Sequence, residues 1–484
     1  MYNKNKLGIH ILIGAASLVS CSQEKSSGDG TLPNVVFIHV DDLGWRDLGY
    51  MGSHFYETPN VDALSAEGMV FTNAYAGAAN SAPSRANLLT GQNSPRHGIY
   101  TVSPSERGHP KTRQLIPVAN TDSIDPTNKT LAHLFAKAGY VSCAIGKWHL
   151  SSNPINNGFD INIGGDERGN PGYGSGGYFA PYTIGHISQG PDGEYLTDRL
   201  TDEAIGFMEA HQDTSFFLYL SYYTVHTPLQ AKEELIQKYR EKPGTDGQDH
   251  PVYAAMVESM DENIGRVLET IDRLGQSSNT LVVFISDNGG IRGISYQDPL
   301  RAGKGSYYEG GIRVPMIMRW PGKIPAEFND TPVTNLDFFP TFQEILGVEL
   351  EGRKLDGTDL SPLFKGETIE ERPLVWHFPI YLQHYMGAVD QAPDPLFRTR
   401  PGSVLRLGNW KLHEYFEDGR MELYNLAIDI GEKKNLADTY PRKVLEMQQM
   451  LIDWRTEMNA PVPTKRNPDY DEEFERKRIK ELIY

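Results

Sequence analysis

Short, nearly continuous apolar runs alternate with longer segments of helical spacing along most of this chain. Four of the runs are rich in Val, Ile, Leu and Phe, as is typical of strands buried on both faces of a parallel sheet. They are Asn34–Val40, Tyr140–Ile145, Phe216–Ser221 and Leu281–Ser286. Leu131–Ala138 and Val252–Leu274 instead place their apolar residues on one helical face. The alternation predicts an α/β fold, with a mixed, mainly parallel sheet sandwiched by helices.

The pattern changes near Glu370, where shorter strand candidates replace the buried runs. A helical pattern follows them at Val444–Met458, and a charged tail covers Glu472–Leu482. The strand candidates are Ser403–Leu407, Trp410–Tyr415 and Glu422–Leu426. We expect a main domain over residues 31–370 and a smaller α+β subdomain with an antiparallel sheet over residues 371–484.

The first 30 residues predict an export signal and a tether. Two lysines precede an apolar stretch, Leu7–Val19, that is too short to cross a bilayer. Leu18-Val19-Ser20-Cys21 resembles a bacterial lipobox, so residues 1–21 are interpreted as a lipoprotein signal with Cys21 as the lipidated residue. Residues 22–30 would form a polar tether. We expect a protein held in the cell envelope, in the periplasm or at the outer-membrane surface, that touches the membrane through its lipid alone; the alternative is an ordinary secretory signal cleaved nearby.

Composition narrows the possible partners. The chain has 484 residues and a formal net charge of −17, which argues against nucleic acid and anionic membrane surfaces. Apart from Cys21 the chain contains only Cys143, so no disulfide within the mature chain is expected. A small anionic substrate is compatible with this charge, because a few cationic side chains can dominate one pocket.

Reactive side chains follow each of the four predicted buried strands. They are Asp41 with Asp42, Lys147 with His149, His226, and Asp287 with Asn288. Ligands of open α/β sheets bind beyond the carboxyl ends of the strands, so we expect these groups to converge. The carboxylates and the amide offer hard oxygen ligands, which suit Ca²⁺ or Mg²⁺ rather than Zn²⁺, and without a cation the carboxylates would repel one another.

The segment Ser81–Gly91 places a hydroxyl side chain at the start of a predicted helix. Pro83 suits the first turn, and Ser81 would lie at or just before the N-cap, beside free N–H groups and the positive end of the helix dipole. That is a favourable position for a tetrahedral oxyanion. Five cationic or titratable side chains would bind the anion and serve acid–base roles if they converge. They are Arg85, Lys147, His149, His226 and Lys304.

Together these motifs resemble the type I sulfatases of the alkaline phosphatase superfamily. Ser81–Gly91 is similar to the family pattern Cys/Ser-x-Pro-x-Arg…Thr-Gly, and Gly139–His149 is similar to its second motif. Asn80 departs from the small or apolar residue that is usual at its position. Further segments occur in the family order between Asn34 and about Ala437: Asp41-Asp42, His226-Thr227-Pro228, Asp287-Asn288-Gly289, Lys304 with Glu309–Pro315, Leu405–Leu412 and Glu422–Leu426. The resemblance implies an alkaline-phosphatase-like fold and a sulfuric ester hydrolase.

The resemblance also implies a modified nucleophile. Ser81 is expected to be oxidised to Cα-formylglycine (3-oxoalanine), and serine in place of cysteine implies maturation by an anaerobic-type, radical-dependent enzyme. One hydroxyl of the aldehyde hydrate would attack sulfur and displace the alcohol, and the other would then expel sulfate. An unmodified serine lacks that second hydroxyl.

The resemblance assigns roles to the remaining residues. Asp41, Asp42, Asp287 and Asn288 would hold Ca²⁺ together with the Ser81-derived group. Arg85 would steady that group, and Lys147 and Lys304 would clamp the sulfate oxygens. His226 would protonate the leaving oxygen and His149 would assist sulfate release, although the division among these two histidines and Lys304 stays open.

The substrate expected from the resemblance and from export is a sulfated glycan, cleaved by exo action at galactose or N-acetylgalactosamine sulfates. The Gly-rich segment Asn156–Gly193 and the segment Trp376–Arg400 are expected to line the sugar site. The polar candidates there are Asp166, Arg168, His377 and Arg400. Two alternatives are a phosphonate or phosphodiester monoesterase of the same superfamily, and a non-catalytic glycan-binding lipoprotein in which Ser81 stays unmodified.

Overall fold

Parallel strands form the centre of the molecule, because their side chains are mostly apolar and become buried when the chain folds. The computed structural model describes Met1 and residues 32–173, 176–385 and 392–483, so the predicted lipobox and tether lie outside the described residues. Up to Arg372 these residues form the strands β1 (Asn34–Val40), β2 (Met69–Phe71), β3 (Ala74–Tyr75), β4 (Val141–Gly146), β5 (Ile161–Ile163), β6 (Phe216–Ser221), β7 (Thr280–Ser286), β8 (Met316–Arg319), β9 (Phe328–Asn329) and β10 (Val333–Thr334).

The main sheet has eight strands in the order β5-β4-β6-β1-β7-β8-β2-β9, while β3 and β10 pair separately. The first five strands of this order are mutually parallel. Strand β8 runs antiparallel to both β7 and β2. This arrangement confirms the predicted mixed, mainly parallel sheet.

Helices cover both faces of the sheet. They are α1 (Pro59–Glu67), α2 (Ser81–Thr90), α3 (Ser94–His97), α4 (Leu131–Lys137), α5 (Leu196–Ala210), α6 (Glu233–Glu241), α7 (Pro251–Arg273), α8 (Glu309–Ile312), α9 (Phe338–Leu346), α10 (Pro441–Met458) and α11 (Glu472–Ile483). Val36 and Ile38 of β1 belong to the cluster that contains the buried faces of α5 and α7. Phe37, one residue between them, contacts Phe338 of α9 with ring centroids 5.0 Å apart. Alternate side chains of β1 thus pack against helices on opposite faces of the sheet.

The C-terminal region forms the predicted antiparallel sheet. Its strands are β11 (Leu374–Phe378), β12 (Leu382–Gln383), β13 (Phe397–Thr399), β14 (Gly402–Leu407), β15 (Trp410–Tyr415) and β16 (Met421–Asn425). Four of them pair in the order β11-β14-β15-β16, and β12 pairs with β13. Met447 and Leu451 of α10 pack with Leu412 and Leu423 of this sheet. Strand β11 was not predicted, and the charged tail forms helix α11.

A buried ion-pair cluster joins this sheet to α8. The Glu309 carboxylate accepts hydrogen bonds from Lys411 Nζ at 2.8 Å and from the Tyr75 hydroxyl at 2.7 Å. Lys411 Nζ also lies 3.0 Å from Glu432 Oε1. Removal of one partner would leave a buried charge uncompensated, so the cluster fixes α8 and the segment before it against β15. Within the described ranges, no helix combines the length and the apolar composition that crossing a bilayer requires.

Candidate active site

The reactive residues converge because four parallel strands end at the same level of the sheet. His39 of β1 and Gly146 of β4 both lie opposite Ser221 of β6, and Val40 lies opposite Ser286 of β7. The residues that follow these ends continue the hydrogen bonding, as in Asp287 N to Val40 O at 3.0 Å and Lys147 N to Ser221 O at 2.7 Å. Local strand patterns therefore bring distant parts of the sequence into one site.

Helix α2 points its first residue into that site. Ser81 Oγ lies 3.2 Å from Asp41 Oδ1, 3.3 Å from Asn288 Oδ1 and 3.2 Å from Lys147 Nζ. The N-cap is Asn80, which donates to Thr101 Oγ1 at 2.8 Å, so Ser81 is the first helical residue and lies one position later than predicted. The serine is almost completely buried.

Arg85 lies one helical turn further along α2 and ties the strand ends together. Its Nε donates to Asp287 Oδ2 at 3.0 Å and its Nη1 donates to Lys147 O at 3.0 Å. Its Nη1 also donates to Ser221 Oγ. Burial raises the pKa of Asp287, but the charges of Arg85 and Lys147 outweigh burial and hold that pKa well below its usual range. Arg85 therefore keeps this carboxylate ionised.

Two lysines face the other two carboxylates. Lys147 Nζ lies 2.5 Å from Asp41 Oδ2, and Lys304 Nζ lies 2.6 Å from Asp42 Oδ1. Each of these four side chains is at most 8% exposed. With Arg85 and Asp287, the site holds three carboxylates and three cationic side chains, so its formal side-chain charges balance. A divalent cation added to this set would make the site positive and favour an anionic ligand.

The donor set fits a hard divalent cation. Ser81 has one hydroxyl hydrogen, yet both Asp41 Oδ1 and Asn288 Oδ1 lie within hydrogen-bond distance of its oxygen. Burial raises the pKa of Asp41 to about 8, although the positive charge of Lys147 opposes this shift. The protein alone therefore does not fully stabilise the negative charge of this carboxylate. Oxygen atoms from Asp41, Asp42, Asp287 and Asn288 are the ligands that Ca²⁺ prefers.

A histidine completes a second grouping around the same carboxylates. Ligand atoms of Asp41, Asp42 and His226 lie within 4.8 Å of one another and could hold a metal ion. His226 Nδ1 lies 2.5 Å from Thr227 O, so this nitrogen donates its hydrogen there. Its Nε2 then faces Asp42 Oδ2 at 3.7 Å. Burial and the charge of Lys304 lower the pKa of His226 to about 3, against the opposing charge of Asp42, which leaves Nε2 unprotonated at neutral pH before any ligand binds.

His149, the other titratable histidine predicted for the site, is half-buried. Burial and the charge of Lys147 hold the pKa of His149 well below its usual range. Its Nδ1 is a buried atom with no hydrogen-bond partner among the described residues. A Cβ atom on Gly169 would lie only 2.4 Å from the His149 ring, so glycine is needed at that position to seat the ring.

Two residues of the site adopt a backbone conformation that side chains other than glycine rarely adopt. Asp42 has φ of 62° and His149 has φ of 64°. Such conformations cost about 1–3 kcal/mol each and persist where the surroundings fix them. Asp42 is fixed by its N–H bond to Asp287 Oδ1 at 3.1 Å and by Asn288 Nδ2, which donates to Asp42 Oδ1 at 2.8 Å.

Two of the four predicted sugar-binding residues lie beside His149. The His149 N–H donates to Asp166 O at 2.9 Å. The Asp166 carboxylate accepts from Arg168 Nε at 2.8 Å, and the Arg168 side chain is 39% exposed. Both residues lie in the predicted Asn156–Gly193 segment, which also contains the short strand β5. The Arg168 guanidinium also donates to Thr183 O, so protein partners hold it while part of the side chain stays exposed.

The other two predicted sugar-binding residues are occupied by protein partners. His377 is buried, with Nδ1 at 2.8 Å from Ser403 Oγ and Nε2 at 2.9 Å from Pro461 O. Arg400 is buried and pairs with Asp394, with Glu417 at 2.7 Å and with Glu475 at 2.7 Å. These contacts indicate structural roles in the C-terminal subdomain, in place of the predicted contact with sugar.

Sequence reasoning missed several residues that position the site. Ser221 holds Arg85, the Tyr178 hydroxyl donates to His226 O at 2.8 Å, and Arg398 Nη1 donates to Lys304 O at 3.0 Å. Ser221 had a signal, because it ends a predicted strand as the other site residues do. Tyr178 and Arg398 lie in the two segments predicted to line the sugar site, but neither was singled out, because their contacts join segments distant in sequence.

The arrangement is suited to binding a tetrahedral oxyanion at the N-terminus of α2. Lys147 lies beside Ser81 and Asp41, and Lys304 lies beside Asp42. His226 also faces Asp42. An oxygen nucleophile at residue 81 would thus have cationic groups for the anion and titratable groups for proton transfer.

Comparisons with known proteins agree with this geometry. The family model described as Sulfatase matches residues 33–348. The model described as N-sulphoglucosamine sulphohydrolase, C-terminal, matches residues 303–458. The first match spans the strand ends, α2 and Lys304, and the second spans Lys304 and the antiparallel sheet.

Individual proteins are similar over most of the chain. A protein of Formosa agariphila named Sulfatase is 30% identical, with 92% of this chain and 92% of that protein aligned. The N-acetylgalactosamine-6-sulfatase of Canis lupus familiaris is 32% identical, over 84% of this chain and 76% of that protein. The crystal structure of Ps i-CgsB in complex with k-i-k-neocarrahexaose has a TM-score of 0.72 and 29% identity, and covers 93% of this chain and 97% of that one.

Proposed function

The chain belongs to the sulfatase family and is a sulfuric ester hydrolase, and we propose that its substrate is a sulfated carbohydrate. The convergence of Ser81 with three carboxylates and three cations is the observation that carries the proposal. We further propose exo action on terminal galactose or N-acetylgalactosamine sulfates. The choice of N-acetylgalactosamine is supported by the similarity to an N-acetylgalactosamine-6-sulfatase, and the carbohydrate class by the similarity to a protein crystallised with k-i-k-neocarrahexaose.

We propose that Ser81 is converted to formylglycine by a maturation enzyme, as the family implies. When present, that group supplies a hydrated aldehyde whose oxygen attacks sulfur. Position 81 favours it, because Lys147 Nζ lies 3.2 Å from the Ser81 oxygen and the residue starts helix α2. Arg85 stabilises the surrounding strand ends without exposure to water.

We propose that Asp41, Asp42, Asp287 and Asn288 hold Ca²⁺. A bound Ca²⁺ supplies positive charge that stabilises the oxyanions of the nucleophile and the sulfate group. Lys147 and Lys304 would then exchange their carboxylate partners for sulfate oxygens. Because the side-chain charges of the protein balance on their own, the added charge of Ca²⁺ would give the site a net attraction for the anion.

We propose that His226 protonates the leaving oxygen and that His149 assists sulfate release. In the protein without ligand, His226 Nε2 carries no proton, because burial and Lys304 lower the pKa of this histidine. A bound sulfate places negative charge nearby and raises that pKa, so the proton would be acquired with the substrate. Lys304 is the alternative donor, because the carboxylate of Asp42 outweighs burial and raises the pKa of Lys304.

The predicted lipobox near the start of the chain supports a proposal about where the protein is located. We propose that Cys21 carries lipid and that the catalytic domain faces water at the cell envelope. Membrane contact would occur through that lipid only, and the partners would be the sulfated glycan and the maturation enzyme.

The proposed function predicts sulfate release by the matured protein. Terminally monosulfated galactose or N-acetylgalactosamine should yield inorganic sulfate, and Ser81→Ala should abolish release because a methyl group cannot attack sulfur. Ser81→Cys should retain activity in a host that matures cysteine. Ser65→Ala on α1 is the control and should leave the rate unchanged. Turnover of phosphoesters alone would favour the monoesterase alternative, and activity confined to internal sulfates of long chains would contradict exo action.

The metal proposal predicts calcium-dependent stability. Protein stripped with a chelator should bind about one Ca²⁺ per chain and gain thermal stability with Ca²⁺ concentration, measured by calorimetry and thermal unfolding. Asp42→Asn should remove this gain. Asp246→Asn, which loses the same charge at an exposed position 3.0 Å from Arg46, should retain it. Two tightly bound zinc ions per chain would contradict the assignment.

The role of His226 predicts a dependence on the leaving group. A sugar alkoxide leaves poorly, so general-acid help should contribute on the order of 10²–10⁴-fold, whereas a nitrophenolate needs little help. His226→Ala should therefore lower kcat for sugar sulfates far more than for nitrophenyl sulfate. If both rates fall equally and Lys304→Ala shows the selective loss instead, the proton comes from Lys304.

A further inference from the structure

Beside the sulfate-clamping lysine lies a second cationic group that the reaction does not use. Arg398 of β13 donates from Nη1 to Lys304 O at 3.0 Å and from Nε to Gln383 O at 2.8 Å. Its guanidinium lies 3.8 Å from the centre of the Tyr385 ring. These contacts hold the buried, positively charged side chain of Arg398 against the backbone of Lys304. The side chain of Lys304 in turn contacts the carboxylates of the site.

The contact between Arg398 and the Lys304 segment is tight. Gly305 has φ of +86°, and a Cβ atom on it would lie 2.7 Å from Arg398 Nη1. A side chain at residue 305 would therefore displace the guanidinium. Its Nη2 has no hydrogen-bond partner in the described part of the chain, so it is available to a ligand.

A second arginine, Arg107, lies in a loop beside the strand that carries Arg398. Its Nη2 donates to Ser103 O at 3.1 Å and to Val102 O at 3.3 Å. Burial lowers the pKa of Arg107, and the like charge of Arg398 lowers it further. Neither pairs with a carboxylate among the described residues. The adjacent Glu106 carboxylate accepts from Ser105 Oγ at 3.0 Å instead.

The loop that carries Arg107 is anchored to the strands around Arg398. The Tyr381 N–H donates to Ser105 O at 3.1 Å. A Cβ atom on Gly108 would lie 2.6 Å from Phe397, which directly precedes Arg398. The backbone of the Arg107 loop is therefore held against the strands that carry Arg398, so the two arginines extend from neighbouring segments.

Like charges at two neighbouring guanidinium groups, which have no carboxylate partner among the described residues, favour binding of an anion between them. We propose that Arg107, Arg398 and Tyr385 form a second anion subsite, which binds an acidic group of the carbohydrate other than the sulfate being removed. The inference rests on the proposed function and narrows its substrate class. The substrate would carry a second sulfate ester or a uronate carboxylate, on the same sugar or on its neighbour, and the planar guanidinium groups suit either.

The subsite predicts a preference that can be measured as a ratio of kcat/KM values. Matured enzyme should cleave a sugar sulfate that carries a second acidic group at least 10-fold better than its monosulfated counterpart, as expected for a charge-assisted hydrogen bond. Arg107→Gln should lower this ratio on the order of 10-fold, and Arg107→Lys should restore part of it. Disulfated and uronate-containing substrates are tested separately, and the larger preference identifies the acidic group.

Lys111→Gln is the matched control, because it removes one positive charge from the same region. Lys111 pairs with Asp471 at 3.1 Å and is 48% exposed, so its substitution should leave the ratio unchanged. Equal loss with both substrates in Arg107→Gln, or no preference in the unsubstituted enzyme, would overturn the subsite.

A binding measurement separates this inference from the proposed function. Calorimetry with Ser81→Ala protein needs no turnover, and the Kd for the doubly acidic sugar should rise on the order of 10-fold when Arg107→Gln is added. An unchanged Kd would overturn the subsite even if sulfate release is found. Conversely, absence of sulfate release from every sugar tested would count against the proposed function alone.

Discussion

Burial of three carboxylates at one edge of a sheet is the constraint on which the rest of this structure depends. Each carboxylate needs a positive charge within a few ångströms, because an isolated buried charge is far more costly than a paired one. Arg85, Lys147 and Lys304 provide these charges and come from α2, from the end of β4 and from the segment before α8. The sheet, the helix and the loop must therefore be correctly placed together, and the same charges then favour a bound cation and an anionic ester.

Contacts around these charged groups keep the sheet, the helix and the loop in position. Arg85 bonds to Ser221 and to the Lys147 carbonyl, so one guanidinium spans three strand ends. Gly289 allows close packing on α8, since a Cβ atom there would lie 1.9 Å from Gly310 O. The cluster of Glu309, Lys411 and Glu432 continues this support into the C-terminal sheet. Such connections explain why a subdomain away from the nucleophile can affect the geometry of its clamp.

Most of the sheet and the charged centre could be predicted from sequence, because both depend on short local patterns. The runs at Asn34–Val40 and Phe216–Ser221 match β1 and β6, and side chains after parallel strands must share one edge. The residues around the charged centre could not be predicted in the same way. His377 and Arg400 were expected at the sugar, but their polar atoms are used by residues up to 288 positions away in sequence. Arg398 was overlooked for the same reason, since its relation to Lys304 exists only in the folded chain.

We propose that this charged site surrounds a converted Ser81 rather than an ordinary serine. The most direct test is the mass of the Ser81-containing peptide, taken from protein isolated from its native organism and compared with its sulfate-releasing activity. Conversion of Ser81 should give a peptide lighter than the serine form by two hydrogen atoms, in proportion to activity. A fully active protein whose peptide has the mass of unmodified serine would contradict it.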